Sequence, residues 1–208
     1  MPSSLNQIVT QIVYILPALL VSVTFHELAH GYVAYKLGDP TAKKMGRLTL
    51  NPIKHLDPMG TAMLIFFRFG WAKPVPYNPN YFKNRKQGTF LVAVAGPLTN
   101  IVLAFIAVVS IGLFTPEGVV LIFLSLLFQF NIIFAVFNLL PVPPLDGSKI
   151  VASILPDSVE ATFWQWERYG YIALIILAVT GMITRIINPV YQWISQSFIY
   201  IANILVGG

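Results

Sequence analysis

Residues 8–30 read IVTQIVYILPALLVSVTFHELAH: eighteen residues without a charge from Ile8 to Phe25, then His26-Glu27-Leu28-Ala29-His30. An uncharged run of that length can cross the hydrocarbon layer of a bilayer as an α-helix. The apolar stretch continues to Leu37, where Gly38-Asp39-Pro40 ends it. A helix turns about 100° per residue, so His26 and His30 lie about 40° apart on one face, close enough to share a metal ion. Glu27, one step on, falls beside such a metal, the place of a base that takes a proton from metal-bound water. Ionisable side chains inside a span are costly, which makes these three functional candidates. Two of the chain's three histidines stand in this one motif, so two core histidines at this spacing by accident is the weaker reading.

Composition agrees with a membrane setting. Of 208 residues, 56% are hydrophobic and 10% charged, and the mean hydropathy is +0.73, beyond the range of a soluble domain of this size. The expected fold is an all-α polytopic membrane protein: one domain over 1–208, a helical bundle with a short extended or β segment near the site. Cysteine is absent, which excludes disulfides. Met1-Pro2-Ser3-Ser4 carries no positive charge ahead of the apolar run, so a cleavable signal peptide is not expected.

Further spans are expected at Gly88–Phe114, Val119–Leu140, Tyr169–Ile187 and Pro189–Val206. Met59–Phe69 is apolar but too short to cross, and reads as a re-entrant or tilted helix buried in the bundle. Arg47-Leu48-Thr49-Leu50 reads as extended, and Pro74, Pro76 and Pro79 forbid helix between Gly70 and Phe82. Ten of the thirteen Lys and Arg residues fall between Lys36 and Lys86, against only Asp39 and Asp57, so this segment is expected on the cytoplasmic side. Counted back from Lys36, His26 is about 15 Å along the helix axis, inside the bilayer and displaced toward the cytoplasm. The charge of +5 is then a topological signal, and no nucleic-acid partner is expected.

A catalytic zinc takes three protein ligands and one open position, so a third donor is needed. His55, Asp57, Glu117 and Asp146 are the candidates. Asp146 stands out by its setting: Asn138-Leu139-Leu140-Pro141-Val142-Pro143-Pro144-Leu145-Asp146-Gly147 closes a span with broken backbone, tolerated at membrane depth where it lines a polar cavity. An ordinary N-cap aspartate is the competing reading.

Taken with Ala95-Gly96-Pro97-Leu98-Thr99-Asn100 in a middle span, the His26–His30 and Asn138–Gly147 motifs occur in an order that resembles the site-2 protease family of intramembrane zinc metalloproteases. The resemblance covers a catalytic core of about 8–154, with the C-terminal spans within 169–206 as additions. It implies one zinc ion per chain held by His26, His30 and Asp146, Glu27 as the residue that activates water, and a transmembrane protein substrate cut within or near the lipid bilayer. It also implies a multi-pass protein of a prokaryotic plasma membrane with its active site toward the cytoplasm. Family members commonly show Asn-Pro before Asp-Gly, where this chain has Pro144-Leu145. His55 and Asn100 are the candidates for the oxyanion or for contact with substrate. Gly70-Trp71-Ala72-Lys73-Pro74-Val75-Pro76 resembles a loop that the family places near its site, and an extended edge there could pair with an unwound substrate strand. Two other classes compete: a metal-ion transporter using the same ligands, which leaves Glu27 without a task and lacks repeated halves, and a catalytically inactive membrane chaperone.

Overall fold

The computed structural model describes residues 4–67, 70–165 and 167–207. Met1, Pro2 and Ser3 of the expected uncleaved start, and Arg68 and Phe69 at the end of the short apolar run, lie outside the described residues. The chain forms α1 (Ser4–Lys36), α2 (Thr41–Lys44), α3 (Pro58–Phe67), α4 (Arg85–Phe114), α5 (Gly118–Asn138), α6 (Asp146–Ile154), α7 (Asp157–Gln165), α8 (Glu167–Val179) and α9 (Met182–Val206). Three helical stretches, Val13–Lys36, Arg85–Phe114 and Gly118–Asn138, are long and apolar enough to cross a membrane. The protein is an all-α polytopic membrane protein.

Helices α1, α4 and α5 pack together and α9 closes the group. Their shared core contains Ala18 of α1, Ala104, Ala107 and Val108 of α4, Leu127, Phe128 and Ile132 of α5, and Ile187 and Ala202 of α9. Alanines on α1, α4 and α9 let backbones approach closely, the usual device where lipid supplies no hydrophobic drive for helices to associate.

The C-terminal third departs from expectation. Instead of two spans divided at Pro189, α8 and α9 meet at an 80° bend after Val179, and the pair can at most make one further span. Gly181 takes a positive φ of 69° at that break, while Pro189 lies inside α9. A left-handed glycine ends a helix, whereas Pro189, eight residues into α9, removes one backbone N–H from the ladder without ending it.

The segment between α1 and α4 positions the site. No strand forms among the described residues. A single antiparallel bridge joins Leu56 to Ala72, and Lys73 N–H donates to the His55 carbonyl at 2.9 Å. Pro74, Pro76 and Pro79 have no N–H to extend a ladder, so the expected β segment stays irregular. Residues 48–50, also expected to be extended, form a bend. At the start of α3, Met59 is 69% exposed while Gly60 is buried against the backbone of Trp71. Arg47 donates through Nη2 to the Lys73 carbonyl at 2.7 Å, and Asp39, fully buried, accepts from Asn78 N–H at 2.6 Å. Val75 is thereby laid against Gly31 of α1, where an added Cβ would come within 2.9 Å of its Cγ1.

Candidate metal centre

His26 and His30 project from successive turns of α1, and Asp146 is the first residue of α6. The two Nε2 atoms are 3.0 Å apart, and Asp146 Oδ2 lies 3.2 Å from that of His26 and 3.0 Å from that of His30. All three residues are buried. They are the one group of candidate metal donors found among the described residues. Of the other candidates for a third donor, Asp57 accepts Gly60 N–H at 2.8 Å at the start of α3, and Glu117 sits in the turn between α4 and α5. Asp146 bonds the two histidines and Lys149 instead of capping its helix.

The second nitrogen of each imidazole shows where the proton resides. His30 Nδ1 faces the Val92 carbonyl at 2.7 Å, which can only accept, so Nδ1–H donates. His26 Nδ1 faces Asn100 Oδ1 at 2.5 Å. The Asn100 amide cannot turn round, because its Nδ2 donates to the Ser22 carbonyl at 3.2 Å and to Asn131 Oδ1 at 2.6 Å. In neutral imidazoles both Nε2 atoms then present lone pairs, and they face a carboxylate oxygen. Three acceptors this close repel one another unless a metal ion or a proton lies among them. A tetrahedral ion with bonds of about 2.0–2.1 Å sets its ligands about 3.3 Å apart, within a few tenths of an ångström of the spacing here. Two imidazoles and one carboxylate form a zinc set with one position left for water.

The surroundings support that geometry. Lys149 Nζ holds the other Asp146 oxygen, Oδ1, at 3.1 Å and leaves Oδ2 to the centre. Gly96 of α4 lies directly against the imidazoles: a Cβ there would stand 2.6 Å from His26 Cε1, 2.7 Å from its Nε2, and closer still to His30 Nε2. Gly147 likewise abuts the Leu139 and Leu140 carbonyls, which lets the turn after α5 fold over the start of α6. A cavity of about 290 Å³ adjoins Lys149 and Tyr77 and runs out past Arg85 and Lys86.

Glu27 is half-buried, and its Oε2 accepts Val75 N–H at 2.8 Å. The irregular segment thus touches the residue beside the metal donors. Asn100 and His55, the candidates for the oxyanion or for substrate, are both fully buried. Asn100 has its oxygen on His26 and its nitrogen on Ser22 and Asn131. His55 donates through Nε2 to the Thr49 carbonyl at 2.8 Å, and its Nδ1 has no partner among the described residues. A neutral imidazole in that state offers a lone pair at Nδ1, not a hydrogen to an oxyanion.

Sequence reasoning passed over the roles of Gly96, Lys149, Val75 and Asn131. Lys149 left a signal, since a cation three residues after Asp146 shares its helix face. So did Asn131, an amide in the middle of a span with no apolar purpose.

Comparison with known proteins bears on the same residues. The profile of peptidase family M50 matches residues 14–121 and 115–183, which take in all three donors and Glu27. The chain belongs to peptidase family M50. Among M50 relatives, the Bacillus subtilis (strain 168) protein named "Putative zinc metalloprotease YwhC" is 45% identical over 185 residues, 85% of this chain and 84% of that protein. The Mycolicibacterium smegmatis protein named "Putative zinc metalloprotease Rip2" is 28% identical over 84% of this chain and 70% of its own length. "Zinc metalloprotease MJ0392" of Methanocaldococcus jannaschii is 30% identical over 94% of this chain and 47% of its own length. No solved structure matches the chain significantly.

Proposed function

We propose that this M50 protein is an intramembrane zinc metalloprotease that hydrolyses peptide bonds of transmembrane segments, with Glu27 as general base. The observation that carries the reading is the convergence of three potential metal donors, His26 Nε2, His30 Nε2 and Asp146 Oδ2, beside Glu27, with both histidines on a helix long enough to cross a membrane. Zinc bound there lowers the pKa of its water toward neutrality and polarises the scissile carbonyl. Glu27 accepts the water's proton and passes it to the departing amine. Val75 N–H holds one Glu27 oxygen and so aims the carboxylate.

A transmembrane substrate arrives as a helix with its peptide groups already bonded, so it has to unwind before attack. The carbonyls of Pro74, Val75 and Pro76 accept no hydrogen bond from any described residue. An unwound substrate strand pairs its N–H groups with these acceptors. Asn100 and His55 act by holding the site's framework and do not donate to the oxyanion. The excess of basic residues between Lys36 and Lys86 supports a cytoplasmic orientation of this end of the bundle, and of the centre near it, in a prokaryotic plasma membrane.

The test uses micelle-purified protein, assayed for zinc content and for cleavage of a single-span substrate. Alanine at His26, His30 or Asp146 should remove both zinc and cleavage. Full zinc retention in Asp146→Ala would place the third ligand elsewhere. Ion flux without proteolysis by the parent protein would favour the transporter.

A further inference from the structure

Asn131 of α5 touches none of the metal donors, yet the hydrogen bonds around it run in one direction toward them. Its Nδ2 donates to the Leu127 carbonyl at 2.7 Å and to Ser22 Oγ at 2.8 Å. Ser22 Oγ is itself oriented, because it donates its hydrogen to the Ala18 carbonyl at 2.8 Å. A backbone carbonyl cannot donate, so the Asn131 amide has a single orientation, with Oδ1 turned toward Asn100. Asn100 must then present Nδ2 to it, at 2.6 Å and closer than the Ser22 carbonyl that the same nitrogen reaches at 3.2 Å, and therefore Oδ1 to His26. His26 must carry a hydrogen on Nδ1, which in the neutral ring leaves Nε2 free for a metal.

Resting on the reading of His26, His30 and Asp146 as a metal centre, we propose that Asn131 and Ser22 are positioning residues that fix the tautomer and ring orientation of His26 through Asn100. Ser22, Asn100 and Asn131 are each fully buried, so water does not compete for these bonds. The relay draws on all three long spans, with Ser22 on α1, Asn100 on α4 and Asn131 on α5. It therefore makes the ligand geometry depend on how these helices are docked. His30 needs no such device, since its Nδ1–H is held by a backbone carbonyl that cannot flip. Partners that hold the far nitrogen of a metal-bound histidine typically change affinity 10–100-fold when removed. Asn131 acts one bond further away and should fall near the lower end.

The experiment compares Asn131→Leu with the parent protein and with Ile132→Ala, which opens the neighbouring core without touching the relay. Zinc affinity is measured by chelator competition, and the imidazole N–H signals are followed by NMR in ¹⁵N-histidine-labelled protein, with and without zinc. Asn131→Leu should lose about tenfold in zinc affinity and lose the protected Nδ1–H signal of His26, while the His30 signal persists. Ile132→Ala should keep both signals. Should the leucine variant fail to fold, Asn131→Ala withdraws the same acceptor and carries the same expectation. Unchanged affinity with the His26 signal retained would overturn the proposal. So would loss of both histidine signals together, or an equal loss in Ile132→Ala. A parent protein that shows the His26 signal but takes up no zinc would fail the metal-centre reading and leave the relay standing.

Discussion

Gly96 is the residue whose smallest change should do most. A methyl group there enters the space against both imidazoles, although alanine is better than glycine in a helix interior by about 1 kcal/mol. Gly96→Ala should therefore leave α4 intact yet lower bound zinc far below one ion per chain, as metal analysis of the purified protein would show. Full zinc occupancy would mean that the imidazoles stand further from α4 than described. His26, Glu27 and His30 were legible in sequence because their relation is set by the pitch of a single helix. Asp146 was legible as a candidate from the broken backbone before it. The role of Gly96 was hidden because it depends on how α4 is rotated against α1, which helical periodicity leaves undetermined. Asn100 left two readings open for a related reason: a polar side chain in a span can face substrate or a neighbouring helix, and its amide bonds to α1 and α5.

Among the elements, the irregular stretch from Gly70 to Tyr77 carries a test of backbone against side chain. Val75→Pro removes the N–H that reaches Glu27, and exchanges the side chain packed against Gly31 for a ring, in a segment already flanked by Pro74 and Pro76. It should slow cleavage by about tenfold or more, the scale of losing one oriented hydrogen bond to a reacting group, and leave zinc content unchanged. Val75→Ile keeps the N–H and should cleave at nearly the parent rate. Helix α7 carries a second test. Arg85 donates to Glu160 through both Nη atoms, at 2.9 and 2.6 Å, and these bonds outweigh burial to hold the Glu160 carboxyl below its ordinary value of 4.5. A carboxyl whose pKa is lowered on folding contributes stability that is present above its unfolded value and lost as pH falls through the folded one. Thermal stability in micelles should thus decline as pH drops below about 4.5. Glu160→Gln should flatten part of that decline, by at most about 1 kcal/mol, since Arg85 is half exposed. The long helices were legible from their apolar runs. The missing β ladder and the bend at Gly181 were not, because both turn on which backbone groups find partners after the chain has folded back.

At the scale of the whole molecule, three spans each contribute to one buried polar centre, and the basic segment from Lys36 to Lys86 marks the membrane face nearest to it. Under the proposed function, this centre cuts transmembrane segments by Glu27-dependent hydrolysis toward the cytoplasmic side. The most direct measurement reconstitutes the zinc-loaded protein, and zinc-loaded Glu27→Gln, in lipid vesicles with a single-span substrate, and maps the products by mass spectrometry. The parent protein should cut in the cytoplasmic half of the substrate's span, while Glu27→Gln binds the same zinc and cuts about 10²–10⁴-fold more slowly, the range typical for loss of a general base. Cleavage by zinc-loaded Glu27→Gln at the parent rate, or cut sites confined to the external half of the span, would contradict it.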